Sequence, residues 1–349
     1  MKNVMLSLLA TFCVALIVID VAQAQNRRVG TAAATELLIP VGARDLALGG
    51  ASIANTVGVD AIYWNPAGLG RMTHDAEGMF STMNYIADIG VSYGAVAGKF
   101  GEFGVVGLSI KSLDFGDIPL TTTEDSEGEG GRFFSPTYFT LGFSYGRQLT
   151  DRIAAGGTAK IISETIDRVS ATGIAFDFGV QYHGLVGITG LQLGVTVKNI
   201  GSQMKFDGPG LLRPAVASGG RRPEQPFKSE AASFELPSIV EIGVGYKALA
   251  AENFTYGLSG SFTNNNLYFD EYRIGGEVSF DLPSITLFGR AGTSLVPDAG
   301  DRENENIFGM TFGGGITYAA GDVNLTLDFA YRQVELFDAN TVVSLKLGF

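Results

Sequence analysis

The chain has 349 residues, of which 46% are hydrophobic and only 17% charged, with a formal net charge of −12 and 48 glycines. Acidity on this scale argues against a nucleic-acid partner, which would require a basic patch. Apolarity without a helix-length run after residue 24, and Gly at about twice its usual ~7%, point to lipid contact shared among many half-apolar strands. The first residues form a secretory signal: Lys2 supplies the positive region, Val4 to Ile19 the apolar run, and Ala22-Gln23-Ala24 the small-residue cleavage site. A membrane anchor is the rival reading, but the run falls short of roughly 20 apolar residues and ends in Asp20. Cleavage removes one cation, Lys2, and one anion, Asp20, so the net charge stands. It also removes Cys13, the only cysteine, which leaves no disulfide, thiol nucleophile or thiolate metal site.

Val41 to Arg71 differs from everything after it. A Gly-rich turn at Gly49-Gly50 leads into one short alternating run. A patch of helical spacing follows (Val59, Ile62, Tyr63), ending at Trp64-Asn65-Pro66, where Pro66 biases Asn65 away from the α region. Within this stretch, ARDLALGGASIANTVGVDAIYWNPAGLG resembles the N-terminal signature of the PorV/PorQ family of outer-membrane barrels, relatives of the FadL fatty-acid transporters. The resemblance implies a hatch in the barrel lumen over residues 25–72, with Arg44, Asp45, Trp64, Asn65 and Pro66 as its lumen contacts. A segment that only closes one end of the barrel fits the same residues.

From residue 73 to 349 the chain alternates polarity. In Val323 to Arg332, Val323, Leu325, Leu327, Phe329 and Tyr331 share one face, and Asn324, Thr326, Asp328, Ala330 and Arg332 the other. A side-chain period of two separates a lipid face from a wet lumen face. A soluble sandwich also alternates, but many of these runs reach ~10 residues, the membrane-crossing length, against a globular mode near five or six. About fourteen such runs give an all-β fold, a transmembrane antiparallel β-barrel. Turns such as Gln148–Asp151 and Asp281–Ser284 are tight, whereas Phe115–Phe133, Gly201–Ser233 and Val296–Asn306 are long. With both termini periplasmic, every one of these tight turns falls on the periplasmic rim and every long loop outside, in the outer membrane of a diderm bacterium. The last strand, with Leu345, Leu347 and Phe349 alternating to the end, resembles the C-terminal assembly signal of outer-membrane barrels. Aromatics near strand ends, Tyr138, Tyr246, Tyr268 and Tyr318 among them, suit interfacial girdles.

Candidate chemistry is sparse. His74 and His183 lie near the periplasmic rim and neither has a Ser and carboxylate in a recognisable pattern, so no catalytic residue is assigned. The acidic run with Glu124 and Asp125, and the stretch Asp298 to Glu305, lack an EF-hand spacing. They read as solvated outer loops, and no metal or cofactor is implied. Arg221 and Arg222 sit in the longest loop, placed either to pair with those carboxylates or to meet a partner. Lys111, Lys160, Lys198, Glu241, Arg273, Glu277, Arg290, Asp328 and Lys346 fall at membrane depth, which is costly unless they face water or one another. Their mixed signs suggest ion pairs that fill the lumen or grip the hatch at Arg44 and Asp45, and the hatch is expected to pass near a Gly-rich strand such as Gly313-Gly314-Gly315. The family resemblance implies a non-enzymatic type IX secretion component that docks secreted cargo proteins. The alternative is FadL-like passage of a hydrophobic small molecule through an apolar pocket leading past the hatch, against which the polar lumen weighs.

Overall fold

A computed structural model describes residues 30–123, 125–216, 224–297 and 306–349. The secretory signal, Glu124, Arg221, Arg222 and the stretch 298–305 lie outside them. Fourteen antiparallel strands close into one barrel. They are β1 Ala76–Asn84, β2 Gly90–Lys99, β3 Val105–Asp114, β4 Thr137–Gln148, β5 Ile153–Ile166, β6 Val169–His183 and β7 Leu191–Gly201. The second half comprises β8 Ile239–Ala251, β9 Phe254–Asn265, β10 Glu271–Asp281, β11 Ile285–Leu295, β12 Phe308–Ala320, β13 Val323–Val334 and β14 Asn340–Gly348. Each strand pairs with its neighbours in sequence, and β1 closes on β14 with Ser81 opposite Ser344.

The alternation in the sequence is the alternation of the wall. On β13, Leu325, Leu327, Phe329 and Tyr331 point outward and are exposed, while Thr326, Asp328, Ala330 and Arg332 point inward and are buried. No helix among the described residues is long and apolar enough to cross a membrane, so lipid contact falls to these outward residues. Strand lengths run from 9 residues in β1 to 15 in β6, enough for a tilted crossing that needs about 9–11.

The tight turns foreseen in the sequence all lie on the rim that carries the two ends of the barrel, and the three long loops on the opposite rim. That opposite rim is uneven, because the β1–β2, β5–β6, β9–β10 and β13–β14 turns on it are also short. The long loops carry their own ribbons: Ile118–Pro119 with Phe133–Phe134, Met204–Lys205 with Ser233–Phe234, and Leu212–Ala215 with Gln225–Lys228. In the last ribbon Pro214 faces Pro226, which removes donors from both edges and protects the ribbon against further strand pairing.

Residues 30–72 fill the lumen. They form a 3-10 turn at Thr35–Leu38, helix α1 at Ala43–Ala47, a 3-10 turn at Gly58–Asp60, helix α2 at Ala61–Trp64 and a 3-10 turn at Pro66–Arg71. The helical patch at Val59, Ile62 and Tyr63 ends at Trp64 as its proline predicts, but Pro66 then opens a further turn as its first residue, where its missing N–H costs nothing. The alternating run after Gly50 is not a strand. Asn55 and Thr56 both donate their N–H to the Ser52 carbonyl, which folds it into a turn.

A belt of lumen-facing glycines receives this plug. Gly146, Gly156, Gly179, Gly194, Gly275, Gly292 and Gly313, on β4 to β7 and β10 to β12, lie against Gly70, Pro66, Asn65, Ile53, Leu48, Leu48 again and Ala47. Strand order rises as plug numbering falls, so the plug winds around the inside of the wall. A Cβ at Gly146 would sit 2.6 Å from the Gly70 nitrogen, and one at Gly194 would sit 2.5 Å from the Ile53 oxygen. Gly194→Val should therefore lower stability by about 1–3 kcal/mol or more. Gly260→Val, where the added carbon meets nothing nearer than 3.8 Å, should stay within about 0.5 kcal/mol of the parent. The shift of a heat-modifiable band in detergent, measured against temperature, separates the two.

Candidate functional site

The functional region is the lumen, in two tiers. In the lower tier, charged side chains from the wall meet the plug and one another. Lys160 pairs with Asp177 at 2.5 Å, and Lys198 with Glu241 at 2.7 Å. Arg273 bridges Glu241 at 2.8 Å and Glu271 at 2.6 Å, while Arg290 bridges Glu277 and Asp328, each at 2.6 Å. Lys111 is tied to the plug backbone instead, donating to the Glu36 carbonyl at 2.6 Å and the Ile39 carbonyl at 2.5 Å. Buried charge is tolerated only when paired and hydrogen-bonded. These contacts meet that condition: the ion pairs lie within one strand or join neighbouring or next-but-one strands, and Lys111 ties β3 to the plug.

The plug residues singled out from the sequence have distinct tasks. Arg44 reaches the wall, 3.7 Å from Glu277, and holds its neighbour Asp45 at 2.8 Å. Asp45 is turned inward: it accepts from the Ser52 hydroxyl at 2.5 Å and the Thr56 hydroxyl at 3.3 Å, and so closes the turn that follows Gly50. Trp64 donates its indole N–H to the Val41 carbonyl at 3.0 Å. Asn65 donates to the Ile53 carbonyl at 2.8 Å and the Val180 carbonyl on β6 at 3.4 Å, and accepts from the Ala67 N–H at 3.2 Å. Pro66 lies against Gly156. Asp60, which sequence reasoning missed, binds Lys346 at 2.7 Å. The Gly-rich run of β12 does approach the plug, with the position a Cβ of Gly313 would take 2.5 Å from the Ala47 side chain.

The upper tier is a vestibule of about 630 Å³ on the long-loop side. Its floor is plug (Leu46, Gly49, Gly50, Tyr63, Trp64) and its walls carry Tyr85, Phe115, Tyr138, Tyr268 and Phe308. The strand charges expected to make the lumen polar reach this vestibule as well, since Lys198, Glu241, Glu271, Arg273 and Arg332 line it beside the aromatic rings. Tyr138 and Tyr268 belong to this wall. Tyr138 packs edge-on against Phe115 at 4.8 Å, so the girdle reading does not describe it. The missed signal was register: Tyr138 stands opposite Leu113, which is buried inside the barrel. On the floor Tyr63 meets Trp64 edge-to-face at 5.1 Å, with the Lys198 ammonium 5.2 Å from one ring and 5.8 Å from the other.

The remaining sequence candidates are elsewhere. His74 contacts Glu77 at 3.0 Å and Asn324 at 2.6 Å at the end-bearing rim, with no serine in its contacts. His183 ends β6 at the same rim. Asp125 accepts the Glu129 N–H at 2.9 Å and the Gly130 N–H at 2.7 Å, which commits its carboxylate to shaping its own loop. Leu345 and Phe349 face outward and are exposed, and Leu347 is half-buried.

Glu36, at the vestibule edge, is buried beside Glu164 on β5. Burial, and then the Glu164 carboxyl, push Glu36 up from 4.5 to about 8. The folded plug thus holds a proton that an unfolded Glu36 would release above 4.5. The resulting stability is complete below that value and is lost as pH rises through about 8. Protection of the Leu37 and Ile39 amides from hydrogen exchange, corrected for intrinsic chemistry, should fall across this window. Glu36→Gln, which stays neutral, should flatten the dependence.

The family described as type IX secretion system protein PorV matches residues 22–213, more than half of the chain. No curated protein matches significantly in sequence. Among solved structures, the CymD monoaromatic hydrocarbon channel superposes with a TM-score of 0.54 at 12% identity, over 89% of this chain and 98% of its own. The Ralstonia pickettii toluene transporter TbuX gives 0.54 at 13%, over 88% and 98%. A Pseudomonas aeruginosa FadL homologue gives 0.53 at 10%, over 89% and 98%. At these identities the likeness is one of fold.

Proposed function

The chain belongs to the PorV family of outer-membrane β-barrels, and from that premise we propose that it is a non-enzymatic component of type IX secretion that receives secreted cargo proteins from its long-loop face. In this reading both termini are periplasmic, the wall sits in outer-membrane lipid, and the loops with the Leu212–Ala215 ribbon stand outside. The observation that carries the reading is the seal. Among the described residues the vestibule ends on Tyr63, Trp64 and the Gly49-Gly50 turn, and below them the plug backbone lies directly on wall glycines. A barrel that only docks and hands over protein needs no path through its lumen. A conduit does.

The aromatic vestibule favours a second reading, FadL-like passage of a hydrophobic small molecule, because an apolar cavity with a few polar groups is the usual form of a small-ligand site. That route requires the plug to leave the glycine belt.

Affinity capture of the tagged protein from native outer membranes should recover secreted proteins and other type IX components, and a deletion strain should stop displaying its secreted surface proteins. Undiminished secretion in that strain would overturn the export role. Trp64 is the only tryptophan and lies on the vestibule floor, so its emission reports occupancy directly. Purified protein titrated with toluene should show no saturable change in Trp64 emission if the vestibule serves protein alone, and a saturable change if it serves small apolar ligands.

A further inference from the structure

Closing the barrel is its one truly non-local step. Thirteen of the strand pairs join neighbours in sequence, whereas β1 must find β14 across the whole wall, Glu77 opposite Gly348 to Asn84 opposite Thr341. The entropy of closing so large a loop falls on this pairing alone. Its register is fixed by few features of its own, since a slip of two residues keeps every side chain on its face.

The plug touches both sides of that seam. On β14 the Ser344 hydroxyl accepts the Ala43 N–H at 2.8 Å, and the Lys346 ammonium binds Asp60 at 2.7 Å. On β1 the Glu77 carboxylate accepts the Val59 N–H at 3.0 Å. Val59 packs with Met79 of β1, and Ala43 and Leu46 pack with Met83 of β1 and Val342 of β14. Ser344 also donates to Ser81 across the seam at 2.9 Å. Successive inward positions of the two strands are thus read by one plug segment, residues 43–60, which is followed by α2 and the Pro66–Arg71 turn before the chain enters β1. A two-residue slip of β14 would take Lys346 away from Asp60 and Ser344 away from Ala43 together.

We propose that the plug is the splint of the closing seam: its segment 43–60 sets the register in which β14 joins β1. The role is separate from cargo or ligand handling, and follows from the plug having its charged and backbone contacts on both closing strands. It gives the plug work during assembly, before anything reaches the vestibule.

Outward-facing cysteine pairs test it in whole cells, in a full-length Cys13→Ser background. Thr82→Cys with Val343→Cys reports the native seam register, and Leu141→Cys with Ile161→Cys reports the local β4–β5 hairpin. Asp60→Asn with Ser344→Ala should lower the oxidised fraction of the seam pair roughly tenfold, because the half-buried Lys346 ammonium loses its anionic partner and the Ala43 N–H its acceptor, and should leave the hairpin pair unchanged. Glu164→Ala, which removes the acceptor of the Ala34 N–H at 2.9 Å and loosens the start of the plug at β5 away from the seam, should leave both pairs intact. The proposal is overturned if the seam disulfide forms as fully in the double variant as in the parent. It is equally overturned if seam and hairpin pairs fall together, or if Glu164→Ala depletes the seam as strongly.

Discussion

Two backbones can lie against each other only where neither carries a side chain between them, and that steric constraint underlies the rest of this structure. The plug is not a globular domain dropped into a tube. It is one turn of chain whose carbonyls and amides rest on wall glycines from β4 around to β12, with its own small residues Ala43, Ala47, Ala51, Ala54, Ala61 and Ala67 fully buried. Packing of that kind fixes the plug's height and rotation together. Glycine weakens a strand by removing packing and adding unfolded-state freedom. Here the loss is offset by contacts that no larger residue permits.

On this steric base the charges act as fasteners. A wet lumen of one sign would repel itself and attract counter-ions, whereas this one alternates: Lys198, Glu241, Arg273 and Glu271 run in sequence along the wall, and from β10 onward Glu277, Arg290 and Asp328 continue the alternation, with Arg44 of the plug against Glu277. Opposite charges in contact offset one another's desolvation. The pairs add direction to a packing that is otherwise apolar and tolerant of rotation.

Much of this was legible in the sequence, for a physical reason. A period of two is enforced by the lipid on one side and the lumen on the other, so strand number, face and the inward charges could be read from residues such as those of β13. The motif around Trp64-Asn65-Pro66 marked the plug because helix-stopping chemistry is local. What stayed hidden depends on register and on contacts distant in sequence. A tyrosine near a strand end has the same composition whether it meets a headgroup or, like Tyr138, a cavity. Alternation in Ala51 to Val57 mimics a strand until the Asp45 carboxylate, several residues earlier, is seen to gather Ser52 and Thr56 into a turn. The ribbons inside the long loops were likewise out of reach, since Leu212 and Lys228 pair across a span with no periodicity.

The two tiers also bear on direction. The vestibule opens toward the long loops and ends on Tyr63 and Trp64, which are hydrogen-bonded to the Leu37 and Val41 carbonyls, so a guest entering it meets a fixed floor above the belt. Opening a way through is a different event. The plug would have to slide along the wall, and its fit is made of residues matched one by one to glycines: a step of even one position sets Ile53 or Leu48 against a new partner and carries Arg44 away from Glu277 and Asp60 away from Lys346. Interfaces packed this way switch between discrete arrangements and do not deform smoothly. An open upper chamber above an unforgiving floor fits the exchange on one face of the membrane proposed above, and the segment that makes the floor unforgiving is the one that also grips both closing strands.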